Sequence, residues 1–140
     1  MIDTEGVKAA LLAKLQANGG QVQVPLIKRG TFSAHLVKLG VEVDNLGNQP
    51  FLPWSAFEEA VQCIANCGGH AARGNAMKSR LGDPGLPLDS IEGHVASVVY
   101  GYKPGEAVFR RITPIACLLI WARICAAAPG ELVLKKSTPR

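Results

Sequence analysis

Two stretches of the chain match each other and end in the same pair of glycines. Residues 7–20 read VKAALLAKLQANGG and residues 56–69 read AFEEAVQCIANCGG, and they align without a gap. In both, apolar residues recur three or four positions apart, which is the spacing of one helix face. A glycine after the last of these residues is a typical helix stop. The pattern predicts two helices and a chain that repeats one structural unit.

A second pair of stretches extends the repeat. Residues 31–40 (TFSAHLVKLG) align with residues 90–101 (SIEGHVASVVYG), and the alignment places His35 on His94. Each stretch begins with a hydroxyl residue suited to a helix N-cap and continues with apolar residues at helical spacing. We therefore expect short helices over residues 31–39 and 90–100. Two linking helices are expected before them, over residues 24–29 and 75–81.

The last segments of the two units also correspond, and each leads into a proline that suits the first turn of a helix. Residues 41–52 alternate around Gly47 and predict a β-hairpin. In the second unit, a Pro104–Gly105 turn precedes an expected strand over residues 107–109.

The order of these elements is that of a winged helix-turn-helix. The stretch LPLDSIEGHVASVVYG resembles the turn and recognition helix of bacterial helix-turn-helix domains, and LIKRGTFSAHLVKLG is a looser match. The resemblance implies an α+β, mainly helical fold: two tandem winged-helix-like units, residues 1–52 and 53–113, followed by a C-terminal hydrophobic helix, a short strand and a basic tail within residues 114–140. It also implies that the short helices over residues 31–39 and 90–100 enter DNA grooves.

The segment after the second unit is strongly apolar. Arg123 is its one charged residue between Pro114 and Ala128, so a helix there must be buried on most sides. It is either a core element shared by the two units or the interface of a homodimer formed through residues 114–128. A final strand is expected over residues 130–134, with a frayed basic tail, KKSTPR, behind it.

The net charge of +4 favours a polyanionic partner. Basic residues lie before each expected recognition helix and on the second wing, where they would flank one groove and contact phosphates. His35 and His94 either contact phosphate or pack beside the apolar stripe, and single basic residues are equally well explained as solvated charge. The candidate contacts to double-stranded DNA are Lys28, Arg29, Ser33, His35, Lys38, Arg73, Lys78, Arg80, Ser90, His94, Ser97, Lys103, Arg110 and Arg111.

Other classes of protein are disfavoured. The acidic residues form no hydrolase pattern and no phosphate loop or nucleophile elbow is present, so we expect no catalytic residue and no cofactor. The spacing of Cys63, Cys67 and His70 is looser than that of a typical zinc site. It favours partly buried side chains over metal ligands. No apolar run reaches about 18 residues, and the N-terminus lacks signal-peptide features. We expect a cytoplasmic protein with reduced cysteines and no membrane association.

These observations favour a small non-catalytic DNA-binding protein, either a transcription regulator or a mobile-element accessory factor. Neither expected recognition helix presents the outward Arg, Asn or Gln that reads bases most strongly. The alternative is therefore a protein-interaction adaptor or inhibitor with a winged-helix-like fold. A pocket converging on Asp44, His70 or His94 would instead indicate an enzyme.

Overall fold

A computed structural model of the chain describes residues 4–135, with side chains from residue 6 onward. The described part is α+β, with helices and two antiparallel sheets. In chain order the elements are α1 (Thr4–Ala17), β1 (Gln21–Pro25), β2 (Thr31–Val37), β3 (Gly40–Val43), β4 (Phe51–Pro53), α2 (Trp54–Asn66), β5 (His70–Ala72), α3 (Ile91–Val98), α4 (Ile112–Trp121), β6 (Cys125–Ala128) and β7 (Glu131–Leu134).

The first sheet is a four-stranded antiparallel meander in the order β1-β2-β3-β4. Its strands form because apolar and polar residues alternate along them: Phe32 and Ala34 are buried, while Thr31 and His35 are exposed. Helix α1 buries Leu11 and the other residues of its apolar stripe, and it packs against α2 and β2.

The second sheet has the order β5-β7-β6 and packs against α2 and α4. Helix α2 buries a stripe that includes Phe57, Val61 and Ile64, and α4 packs against α2, β6 and also β1 of the first sheet. One hydrophobic core therefore runs through both sheets, from Val7 to Leu132.

The mainly helical tandem winged-helix fold expected from the sequence is wrong. Residues 31–39 form strand β2 and a turn, whereas the matching residues 90–100 contain helix α3. The error has a physical cause, since Phe32 and Leu36 are four residues apart and so share a face in a helix and in a strand alike. In a strand, the backbone N–H and C=O groups of this segment form hydrogen bonds with β1 and β3.

The two linking helices are also wrong. Residues 24 and 25 belong to β1, and the chain then turns tightly, the Leu26 N–H donating to the Gly30 carbonyl at 2.9 Å. Residues 75–81 form turns held by backbone bonds across a wide loop, such as Asn75 N–H to Gly85 O at 2.9 Å. Short runs with glycine and proline on either side favour such turns over a helix.

The expected wing strand over residues 107–109 does not form. This segment is an irregular connection whose buried residue is Val108. It is fixed by backbone bonds to the preceding loop, including Leu81 N–H to Glu106 O at 3.0 Å and Gly105 N–H to Leu81 O at 2.8 Å. Neighbouring loop backbone thus takes the place of a strand partner.

The hydrophobic helix expected from Pro114 to Ala128 is wrong in its second half, where residues 125–128 form strand β6. Helix α4 ends at Trp121, and Arg123 adopts a positive φ of 64° where the chain turns into the β6–β7 hairpin. Its apolar residues are covered by the same chain, which removes the reason for expecting a homodimer through residues 114–128. The basic tail lies mostly outside the described residues, which end at 135.

Several expectations are confirmed. Helices α1 and α2 end at the predicted glycine pairs, where Gly20 and Gly69 have φ angles of 81° and 106°. Strands β3 and β4 pair antiparallel around Gly47, and β7 is the strand expected over residues 130–134. Within residues 4–135, no helix combines the length and apolar content needed to span a bilayer.

Candidate nucleic-acid interface

A groove lies where three irregular segments meet the start of α4. The segments are the β1–β2 loop (residues 26–30), the connection from β5 to α3 (residues 73–90), and the connection from α3 to α4 (residues 99–111). The side chains of all three line a series of adjoining cavities. We call this feature the basic groove.

Gly74 brings one wall of the groove into place. Its φ is 89°, and a Cβ atom there would lie 2.8 Å from Ser90 Oγ and 3.2 Å from Glu92 Cβ. Only glycine permits this close approach to the start of α3 together with that backbone angle. The preceding residue, Arg73, is held by bonds from its Nη1 to the carbonyls of Ala128 (3.2 Å) and Glu131 (3.1 Å).

Glu92 fixes the start of α4, whose residue Ile112 lines the groove. Its side chain is buried, and Oε2 accepts the backbone N–H groups of Arg111 at 2.8 Å and Ile112 at 3.0 Å. A carboxylate is well placed at the start of a helix, where free N–H groups and the helix dipole favour negative charge. Burial raises the pKa of Glu92 to about 7, against the opposing effect of these two N–H bonds. This contact sets the position of the neighbouring Arg110.

Arg111 is part of the wall and not of the groove. It is buried, its guanidinium lies 3.8 Å from the centre of the Tyr100 ring and 4.8 Å from that of Phe109, and Nη2 donates to Gln49 Oε1 at 2.8 Å. Such stacking stabilises a buried guanidinium. The sequence prediction of Arg111 as a DNA contact is therefore not supported by its position.

The groove has three successive sections. The inner cavity, of about 310 Å³, lies between the β1–β2 loop and α4. It shares Arg73 and Arg110 with a central section of about 520 Å³, which in turn meets an outer section of about 330 Å³ at Lys78. A side branch of about 380 Å³ leaves at Arg110 and runs toward the β3–β4 loop.

The lining of the basic groove is strongly positive. Of the described residues, six lysines and arginines line it and Asp83 is the one acid. No carboxylate oxygen among the side chains of residues 6–135 lies within 4.0 Å of the charged groups of these residues, and the ion pairs found there all involve histidines. Asp83 instead accepts the backbone N–H of Arg80 at 2.8 Å. The six cations are Lys28, Arg29, Arg73, Lys78, Arg80 and Arg110.

These six residues are all among the predicted DNA contacts, and the fold brings them together from distant parts of the chain. The other predicted contacts lie elsewhere. His35 is exposed on β2 beside Glu42 at 3.3 Å, and His94 on α3 binds Glu59 at 2.9 Å, so the two histidines have different surroundings. Those that do not line the groove are Ser33, His35, Lys38, Ser90, His94, Ser97, Lys103 and Arg111.

Helix α3 does not present the face that the recognition-helix interpretation requires. Glu92, Gly93 and Ala96 are buried, so this face of the helix cannot contact bases. Ser90 is the N-cap of this helix, its Oγ accepting the Gly93 N–H at 3.1 Å, and is itself buried. The helix is a support for the groove walls, which explains why its polar residues are engaged within the protein.

Residues missed by sequence reasoning complete the lining. Gly74, Met77 and Thr113 each border more than one section. The Gly74–Asn75 dipeptide is a turn signal that marks a sharp change of chain direction. Nothing local marks Thr113, because its place in the groove depends on where α4 packs.

The cysteines beside α3 show no reactive or metal-binding arrangement. The Sγ atoms of Cys63 and Cys67 both face the Asp89 carbonyl, at 3.4 and 3.6 Å, while His70 pairs with Glu131. Burial raises the pKa of Cys63 to about 12, so its thiol is neutral. In the described part of the chain, no three His, Cys, Asp or Glu side chains gather as metal ligands.

Comparison with known proteins returns no relative: no protein-family model, no curated protein and no solved structure matches the chain significantly.

Proposed function

We propose that the protein binds DNA without catalysis and holds the sugar-phosphate backbone along the basic groove. The observation that carries this proposal is the convergence of six cations that have no carboxylate partner among the described side chains. Gathering like charges is unfavourable unless an anion neutralises them. A polyanion with regularly spaced phosphates meets that need along a continuous groove.

The proposed mode of binding is contact with the backbone and not base readout by a helix. Helices α3 and α4 are largely buried, so neither is free to enter a major groove. Lysine and arginine contacts to phosphate position a protein on DNA but carry no sequence information. A cytoplasmic regulator or mobile-element accessory factor that acts on many sites is compatible with this mode, and the four free thiols fit a reducing compartment.

The test reverses charge at two positions in the groove, Arg110→Glu with Lys78→Glu. We expect affinity for a short labelled duplex, measured by fluorescence anisotropy at low salt, to fall by on the order of a hundredfold. The matched control is Lys38→Glu with Lys103→Glu, which makes the same change in net charge at exposed positions outside the groove. The control is expected to keep most of the affinity.

Salt dependence provides a second measurement. If all six cations contact phosphates, affinity should fall roughly a thousandfold between 50 and 200 mM salt, and the double groove variant should lower the slope by about 2. Equal losses in the groove and control variants would show that net charge alone is responsible, and would contradict the proposal. Absence of DNA binding, with a protein partner released by the groove variant, would favour the adaptor function instead.

A further inference from the structure

The inner cavity differs from the rest of the groove because it combines charge with an apolar floor. The floor includes Ile112, Ala116 and Cys117 of α4, all of them buried. Four cations line the same cavity: Lys28, Arg29, Arg73 and Arg110. A phosphate needs only the charges, so the apolar floor indicates a ligand that also has a flat or apolar part.

Cys117 contributes to this floor as an apolar group. Burial raises the pKa of its thiol, against the smaller opposing effects of the Ile27 backbone and the charge of Arg73. The thiol is therefore neutral and behaves as a small hydrophobic side chain. The β1–β2 loop and Arg73 line the same cavity as Cys117.

The size of the cavity limits what it can hold. At about 310 Å³ it is at the lower end of the range of small-molecule pockets, roughly 300–1,000 Å³. That volume suits a single nucleotide. It also opens into the central section through Arg73 and Arg110, so a chain of phosphates can continue from it along the groove.

We propose that the inner cavity binds one unstacked nucleotide, with its base between the apolar floor of α4 and Ile27 and its phosphate among the cations of the lining. Guanidinium planes stack on bases and apolar side chains cover the opposite face, as in other sites for unpaired bases. Binding of a free mononucleotide depends on the cavity alone, whereas binding of the same site to longer DNA rests on the proposed function. The site makes DNA with an unpaired end or gap the preferred ligand over blunt duplex.

The experiment first uses small probes on the intact chain. Deoxyadenosine 5′-monophosphate is titrated by calorimetry alongside deoxyadenosine and inorganic phosphate. We expect the mononucleotide to bind at least tenfold more tightly than either part, because both the floor and the charges are then used. Equal binding of phosphate and mononucleotide would overturn the inference, because it would reduce the cavity to a plain anion site.

A charge-neutral variant then separates base binding from electrostatics. Ile27 lines the cavity and is 44% exposed, so Ile27→Asn changes the cavity without disturbing the core. It should weaken mononucleotide binding about tenfold and remove the preference for a duplex with a single-stranded overhang. Leu39→Asn, at an exposed apolar residue outside the groove, is the matched control and should have neither effect.

The outcomes for the two proposals are distinguishable. Suppose that blunt and overhanging duplexes bind equally, and that charge reversal at Arg110 and Lys78 removes the binding of both. The groove then binds DNA, and the proposed nucleotide site is wrong. If the mononucleotide binds and Ile27→Asn weakens that binding while no DNA binds, the site is correct and the DNA function is wrong.

Discussion

Glu92 links the beginnings of two helices through one buried side chain. It lies at the start of α3 and accepts two N–H groups at the start of α4, while its Oε1 has no hydrogen-bond partner within the described structure. The exposed fraction of the residue is 4%, so water does not solvate its charge. The carboxyl group therefore positions the wall of the groove at a cost in solvation.

This environment predicts a pH dependence of stability. The pKa of Glu92 is raised from 4.5 to about 7, so the folded protein binds the proton more tightly than the unfolded chain does. Its contribution to the free energy of unfolding is complete below pH 4.5 and is lost as the pH rises through 7, up to about 3 kcal/mol. Denaturant unfolding between pH 5 and 8 should show this decline, and Glu92→Gln should flatten it. Parallel pH profiles for the two proteins would contradict the prediction.

At the scale of an element, the first turn of α3 is packed against the loop before it. A Cβ atom on Gly93 would lie 2.1 Å from the Pro87 carbonyl oxygen and 2.9 Å from Ser90 Oγ. Ser90 Oγ in turn donates to that carbonyl at 2.6 Å. This contact closes the long connection from β5, so the shape of the groove depends on the absence of a side chain at Gly93.

The variant Gly93→Ala tests that contact. Helix propensity alone favours alanine by about 1 kcal/mol, but the clash with backbone is expected to outweigh it and to destabilise the protein by roughly 2 kcal/mol. Ser97→Ala, in the same helix and half-buried, should change the free energy of unfolding by less than about 0.5 kcal/mol. An unchanged or raised unfolding midpoint for Gly93→Ala would show that the loop yields easily.

At the scale of the whole molecule, the two sheets share one core. Helix α1 packs against α2, and α4 packs against β1, so elements on each side of residue 53 cover apolar residues on the other. Removing either part would expose those residues to water, at a free-energy cost of about 25 cal/mol for each Å² of apolar surface. The division into units at residues 52 and 53 stays a prediction, which the separate folding of residues 53–140 would test.

We expect residues 53–140 alone not to fold cooperatively, since α1 and β1 would no longer cover α2 and α4. Circular dichroism during thermal unfolding should show a broad, shallow transition for this fragment and one sharp transition for the intact chain. Adding residues 1–52 as a separate chain should restore the sharp transition if burial is the cause. A fragment that unfolds sharply by itself would establish two independent domains.

The sequence predicted well wherever structure follows from local spacing. Helices α1 and α2 have an apolar stripe followed by a glycine stop, and the β3–β4 hairpin has alternation around a turn. Strand β2 was mistaken for a helix because Phe32 and Leu36 satisfy both periods, and only its partner strands decide between them. The six groove cations were identified as candidates, but from an arrangement of recognition helices that the chain does not have.

The amino-acid sequence by itself determined which segments are amphipathic, where helices stop and where basic residues are grouped, because these properties depend on neighbours within a few positions. Only the tertiary structure decided that Lys28 and Arg29 line one cavity together with Arg73 and Arg110. It also decided that Arg111 and Glu92 are buried. The physical reason is that a charged side chain is assigned to a groove or to a core by the packing of distant elements around it, and a single sequence carries no direct record of that packing.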